Sequence, residues 1–379
     1  MKRLLLVAAL LATTIGAVVW ILQPDDYRWS LPSDLPRPEV PADNPMSRAK
    51  VELGRWLFYD RRLSVNGTMS CATCHRQELA FTDARPVSVG ATGELHPRSS
   101  MSLVNTAFAS RLTWANPMLE RLEDQALTPM FGDDPIEMGM AGKESDIVDL
   151  LRTENNYSRL LKKSFPDDAD PHSVLNAVRA IAAFVRSIVS FNSPYDRYLA
   201  GDDSELSDSE KRGMDLFFSE RLECFHCHGG FNFTDSTTHA NAVVDRVGYH
   251  NTGLYNLDGL GTYPANNTGL FDMSGQRRDM GRFKAPTLRN IAVTAPYMHD
   301  GSVATLAEVL AHYERGGRQI IEGPYAGDGR LNPYKSEFVR GFTLSDSERE
   351  DLLAFLDSLT DTSLLQHQRW SDPCAQTTD

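Results

Sequence analysis

Cys71-Ala72-Thr73-Cys74-His75 and Cys224-Phe225-His226-Cys227-His228 are two copies of one pattern, C-x-x-C-H. The spacing is that of c-type heme attachment. Two thiols three positions apart add to the two vinyl groups of one porphyrin, and the next residue offers an imidazole to its iron. A short helical turn puts all three groups on one side of the ring. Two rival readings exist. A redox dithiol would sit in a βαβ unit, and no such pattern flanks either motif. A zinc site could use the four cysteines together, but it would leave His75 and His228 unexplained. The remaining cysteine, Cys374, stands alone near the C-terminus and reads as a thiol without a role.

Outward from the motifs, the flanks also repeat. Gly54-Arg55-Trp56-Leu57-Phe58-Tyr59-Asp60-Arg61-Arg62-Leu63 precedes the first. Gly213-Met214-Asp215-Leu216-Phe217-Phe218-Ser219-Glu220-Arg221-Leu222 precedes the second. Further on, Ala183-Phe184-Val185-Arg186-Ser187-Ile188 echoes Ala354-Phe355-Leu356-Asp357-Ser358-Leu359. Each half thus reads as opening helix, heme motif, loops, closing helix. Two copies make a duplication, not a solenoid. Ser207 with Glu210 and Ser345 with Glu348 are capping boxes ahead of apolar-periodic runs. Val174, Leu175, Val178, Ile181, Ala182, Val185 and Val189 recur at helical spacing. Strand alternation is scarce, and the Gly/Asn/Asp-rich stretch 229–282 reads as long loops. The halves meet near Asn192–Asp203.

The chain has 379 residues, 41% apolar and 23% charged, which excludes a disordered chain and a polytopic membrane protein. Its 51 acidic residues outnumber 38 basic ones, so a phosphate backbone is a poor partner and nucleic acid is excluded. Lys2 and Arg3 precede an apolar run, Leu4–Leu22. That is an export signal or an uncleaved N-terminal anchor, and both place the remainder outside the cytoplasm. The expected division is 1–23 signal or anchor, 24–46 a Pro-rich linker or wrapping arm, 47–200 and 201–362 two heme domains, and 363–379 a tail.

Together with Ala285-Pro286-Thr287-Leu288-Arg289-Asn290 and Ala295-Pro296-Tyr297-Met298-His299-Asp300-Gly301, the two motifs resemble the bacterial diheme cytochrome c peroxidase and MauG superfamily over about residues 45–362. Within it the sequence is most similar to the diheme enzymes of methanobactin gene clusters, the MbnH type. The resemblance implies a mainly α fold of two cytochrome c-like domains, each wrapped around one covalently attached heme, with long loops. It also implies two c-type hemes and a calcium ion between the domains, held by Asn105, Thr294 and Pro296. Oxygen-only ligands suit that ion.

The resemblance assigns roles as well. His75 ligates the N-terminal, peroxide-reacting heme. Its distal side would carry Gln125, Pro129 and Glu137. The Pro129-to-Glu137 interval is two residues longer than the family pattern, which leaves Asp133 and Asp134 as substitutes. His228 ligates the second heme, with Tyr313 at the position where peroxidases carry a Met. Met280 and Met298 are the alternative ligands. A phenolate is a hard anionic donor and favours higher iron oxidation states than a thioether. Trp114 would relay an oxidising equivalent between the hemes, and Trp56 and Trp370 are candidates for the path to the surface. His96 reads as a contact of the first heme, His226 as a spacer, and His299 as a residue of the fold or a propionate contact.

The function implied is a MauG-like oxidoreductase. Peroxide would generate a high-valent state of the bis-Fe(IV) type, which oxidises a tryptophan of a secreted, copper-binding (MbnP-like) partner to kynurenine. The alternatives are a peroxidase reducing H2O2 with electrons from a small cytochrome c or cupredoxin, and a plain electron carrier. The compartment implied is the periplasm, with the membrane reached only through an uncleaved N-terminal segment.

Overall fold

The structure is a computed structural model that describes residues 26–375. The first half contains α1 (Arg48–Tyr59), α2 (Cys71–Cys74), α3 (Leu122–Phe131), α4 (Glu144–Thr153), α5 (Asn155–Ser164) and α6 (Val174–Arg186). The second contains α7 (Pro194–Leu199), α8 (Asp208–Phe217), α9 (Cys224–His228), α10 (Phe271–Ser274), α11 (Leu306–Glu314) and α12 (Asp346–Asp357). Extended structure among the described residues is confined to two-residue antiparallel pairs and isolated bridges. β1 (Tyr249–His250) pairs with β2 (Phe283–Lys284), and β3 (Gln319–Ile320) with β4 (Gly327–Asp328). The fold is therefore mainly α with long loops, as the sequence implies.

The duplication is visible in the packing. α1 lies on α6, and α8 lies on α12. A Cβ built on Gly54 would sit 1.9 Å from the Ala180 carbonyl oxygen and 2.8 Å from Phe184 Cβ. One built on Gly213 would sit 1.9 Å from the Asp351 carbonyl oxygen and 2.8 Å from Phe355 Cβ. The shared glycine of the opening helix is thus the point where two helix backbones touch. Around it Leu53, Leu57, Phe58 and Phe184 are buried in one half, Phe217, Leu352 and Phe355 in the other. Burial of each such side chain contributes roughly 1.5–3 kcal/mol. Both capping boxes form, with Ser207 accepting from the Glu210 amide and Ser345 from the Glu348 amide. Of the predicted α6 stripe, Val178, Ile181, Ala182 and Val185 are buried, while Leu175 in the first turn is 53% exposed.

Phe191 packs in the first apolar core and Tyr195 in the second. A third, smaller cluster of Ala115, Leu254, Tyr255, Tyr263 and Phe283 has Trp114 against it. Tyr27, Trp29, Leu31 and Leu35 lie on the first core, so the Pro-rich arm wraps. The chain end returns to the same core. Leu364 and Trp370 are buried in it, Gln77 donates to the Leu364 and His367 carbonyls, and Tyr59 donates to the Trp370 carbonyl. No helix among the described residues is long and apolar enough to cross a membrane. The run Leu4–Leu22 lies outside them.

Candidate heme sites and the wall between them

Each C-x-x-C-H motif opens onto a large apolar cavity walled by its own helix pair. In the first half Cys71, Cys74 and His75 share it with Phe58 of α1 and Ile181, Ala182 and Val185 of α6. In the second, Cys224, Cys227 and His228 share it with Phe217 of α8 and Leu352 and Leu356 of α12.

The two histidines are oriented in the same way. His75 Nδ1 is 2.9 Å from the Phe81 carbonyl. His228 Nδ1 is 3.3 Å from the Phe233 carbonyl and 3.1 Å from that of Pro286. A backbone acceptor fixes the Nδ1–H tautomer and frees Nε2 for a metal. Phe81 and Phe233 are both fully buried, and both hold a left-handed backbone, at φ 62° and 49°. Burial lowers the pKa of both imidazoles and keeps them neutral, the form that ligates. Burial pushes the Cys71 and Cys224 thiols up to about 12 and Cys74 up to about 11, which is the opposite of an activated redox thiolate. The donor sets, the cavities and the orienting carbonyls all fit a covalently held heme in each half.

The first cavity also gathers Gln125, Pro129, Glu137, His96 and Glu94. Gln125 and Pro129 sit on α3. The chain then doubles back, with Met138 N–H donating to the Pro129 carbonyl at 2.8 Å and Met140 N–H to the Met130 carbonyl at 2.9 Å. The residues of the long interval bulge outward, so Asp133 and Asp134 are exposed and Glu137 reaches the cavity. Glu137 Oε1 lies 3.5 Å from His96 Nε2. Gln125 Oε1 is buried with no hydrogen-bond partner among the described residues. α3 itself is pinned by Glu123, whose carboxylate pairs with Arg186 of α6 at 2.9 Å and accepts from Asn44 at 2.6 Å.

The second cavity contains Tyr313. Leu306, Val309, Leu310 and Tyr313 form one face of α11 directed into it. Burial, and then the nearby Cys227 and Cys224 thiols, hold the Tyr313 phenol protonated far above its ordinary range. Met298 and His299 line the same cavity, and Met280 does not. His299 stacks on Phe283 at 3.6 Å, and burial lowers its pKa to about 4. His226 turns away, pairing with Glu223 at 2.9 Å and Glu220 at 3.2 Å.

Between the halves lies a further cavity. Trp114 lines both this space and the second heme cavity, and its indole N–H donates to the Ser99 carbonyl at 2.8 Å. Asn105, Thr294 and Pro296 meet there too. The Asn105 side chain already clamps Ser190, accepting from its N–H at 2.8 Å and donating to its carbonyl at 3.1 Å. The Thr294 and Pro296 carbonyl oxygens accept no hydrogen bond among the described residues. Of the candidate path residues, Trp56 is half-buried and donates to Glu52 at 2.9 Å. Trp370, at 6% exposure, is a core residue donating to the Ser187 carbonyl, not a surface one.

Sequence reasoning missed the carbonyls of Phe81 and Phe233, the Glu123–Arg186 pair, the bond of His250 to Asp235 at 2.6 Å, and Lys284. A Phe in a left-handed conformation carries no sequence signal. Phe81 and Phe233 do stand six and five residues after their histidines, a spacing the repeat could have shown.

Comparison with known proteins gives a consistent picture. The family described as "Di-haem cytochrome c peroxidase" matches residues 48–204, and "RoxA-like, cytochrome c-like" matches residues 282–318. Cytochrome-c peroxidase IdrP1 of Pseudomonas sp. (strain SCT) is 34% identical, covering 88% of this chain and 86% of its own. Methylamine utilization protein MauG of Methylorubrum extorquens is 32% identical over 88% of this chain and 83% of its own. The crystal structure of a MauG-like protein associated with microbial copper homeostasis is 51% identical, with TM-score 0.90, covering 92% of this chain and 99% of that one. The diheme peroxidase BthA of Burkholderia thailandensis shares the fold, with TM-score 0.65 at 22% identity over 90% of this chain and 99% of that one.

Proposed function

Since this chain belongs to the diheme cytochrome c peroxidase and MauG family, and is therefore a heme-dependent oxidoreductase with two c-type hemes, we propose that it uses peroxide to oxidise a tryptophan of a secreted partner protein. The partner proposed is a copper-binding (MbnP-like) protein and the product kynurenine. The compartment proposed is the periplasm. The 51% identity to a MauG-like protein associated with copper homeostasis supports this choice. The observation that carries it is the asymmetry of the two cavities. One holds an acid–amide pair, Glu137 and Gln125, and the other holds a phenol, Tyr313.

The hemes, held by Cys71, Cys74 and His75 and by Cys224, Cys227 and His228, would supply the redox chemistry, peroxide activation on the first side and storage of an oxidising equivalent on the second. The remaining work belongs to the chain. Glu137 takes a proton from one peroxide oxygen and delivers it to the departing one, steadied by His96. Gln125 orients the peroxide through its unpartnered carbonyl oxygen, and Pro129 closes the pocket wall. Trp114, which lines both the inter-half space and the second heme cavity, would be the relay between the two sides. Tyr313 would help hold the second heme through its phenol oxygen, with Met298 as the rival donor. Calcium at Asn105, Thr294 and Pro296 would use the two unpartnered carbonyls, and EGTA treatment tests it.

The test is to add H2O2 to the diferric protein with a candidate copper-binding partner and map the partner by mass spectrometry. Conversion of one tryptophan to kynurenine, abolished by Glu137→Gln, is the expected result. Catalytic peroxide reduction by a reduced small cytochrome c or cupredoxin, with the partner unmodified, would establish the alternative that the 34% identity to a cytochrome-c peroxidase supports. Tyr313→Met tests ligation: an unchanged resting spectrum of the second heme would exclude Tyr313 as its ligand.

A further inference from the structure

The cavity between the halves is lined by three cationic side chains, Arg111, Lys284 and Arg289, and by no Asp or Glu. Two of the three are already committed. Arg111 reaches Glu120 at 2.8 Å, and Arg289 holds Asp196 at 2.9 Å and the Phe231 carbonyl. Lys284 is different. It is 6% exposed, lines this cavity and the second heme cavity, and its ammonium makes no hydrogen bond or ion pair with another described residue. Among the described residues the carboxylate whose charge reaches it, Asp235, has Oδ2 on His250 at 2.6 Å. In the second cavity the one acidic residue, Glu223, is turned to His226 and Arg340.

An ammonium on a side chain this enclosed, facing cavities with no free anion, is unfavourable, and an apolar side chain of similar volume would fill the place better. Position 284 is also tightly held, since its N–H donates to the Trp114 carbonyl at 2.7 Å and β2 pairs it with Tyr249. We infer that Lys284 is the counter-charge for a carboxylate brought by the bound porphyrin, namely a propionate of the second heme directed into the inter-half cavity. Lys284 is a positioning residue. It anchors the propionate edge of that heme at the backbone of Trp114, so the charge and the candidate relay share one strand contact.

The inference rests on the family assignment of two bound hemes and not on the partner reaction. Its test is a spectroelectrochemical titration of the purified diheme protein, with both heme potentials read separately. Removing a positive charge beside the second heme favours its oxidised form. Lys284→Met should therefore shift the oxidised-to-reduced ratio of that heme about tenfold at fixed potential, or about 59 mV downward for one electron. The first heme should move less, and Lys284→Arg should stay close to the parent. If Lys284→Met does not accumulate with full heme content, Lys284→Gln gives the same reading. Unchanged potentials in a neutral variant with both hemes attached overturn the inference, as does an equal shift of both hemes. Loss of partner oxidation with the potential shift intact would sink only the functional reading.

Discussion

Replacing Gly54 by Ala adds one methyl group at a point where there is no room for it. The new Cβ would stand 1.9 Å from the Ala180 carbonyl oxygen, roughly 1.5 Å short of ordinary contact, and the obstacle is backbone. α1 and α6 must separate to admit it. A gap of roughly 0.5–1 Å already forfeits a quarter to a half of the dispersion well along an interface. Overpacking of a well-filled core costs about 1–3 kcal/mol, and more where backbone must move, so about 4 kcal/mol is reasonable. Ala recovers about 1 kcal/mol over Gly in a helix interior. The net is a loss of about 3 kcal/mol. For a half of this size that lowers the melting temperature by roughly 6–12 °C. Gly213→Ala should do the same in the second half, against Asp351. Differential scanning calorimetry of the two variants, with heme content checked beforehand, measures both. A Gly54→Ala protein as stable as the parent, or more so, would refute the close-contact reading, because an unhindered helical glycine gains stability from this change.

Other substitutions read the sites. Glu137→Gln keeps the shape of the first cavity and removes the proton carrier, so the peroxide reaction should slow about 10²–10⁴-fold in stopped-flow with resting spectra unchanged. Glu123→Gln leaves Arg186 buried without its anion and should cost roughly 3–5 kcal/mol by denaturant unfolding at pH 7. The Arg186 guanidinium, with hydrogen bonds from Asn44 and Arg186, outweighs burial and holds the Glu123 carboxyl below its ordinary range. Its stabilising share is thus complete above the ordinary carboxylate pKa and is lost as pH falls through the lowered one. The acid limb of melting temperature against pH should therefore flatten in Glu123→Gln, and an unchanged limb would count against the pair. Trp370→Ala, by emptying a place in the first core, should cost about 3–5 kcal/mol, read by the same denaturant titration.

What the sequence could reveal was whatever is written in short local patterns. The two C-x-x-C-H motifs and the capping boxes depend on neighbours a few residues away, and the structure returns each of them in place; the paired glycines were visible only as a repeat, and their reason, contact with Ala180 and Asp351, lies far along the chain. Long-range closure left weaker traces. The extra residues before Glu137 made its position ambiguous, and only the return of Met138 to Pro129 shows that the surplus bulges into solvent. Trp370 carries no periodicity to announce burial, because it lies in a strap and not in a helix. Lys284 follows Phe283 in a strand buried on both faces, so polarity alone pointed outward while the strand turned it inward.

That returning strap orders events in time. Gln77, two residues beyond His75, is tied to Leu364, 287 residues later. At roughly 5–20 residues per second, on the order of 15–60 s of synthesis separates the two ends of this bond. Throughout that interval the first apolar core lacks Leu364 and Trp370. The helix pair of the first half can therefore dock before this segment exists, and Leu364 and Trp370 are the last apolar pieces its core receives.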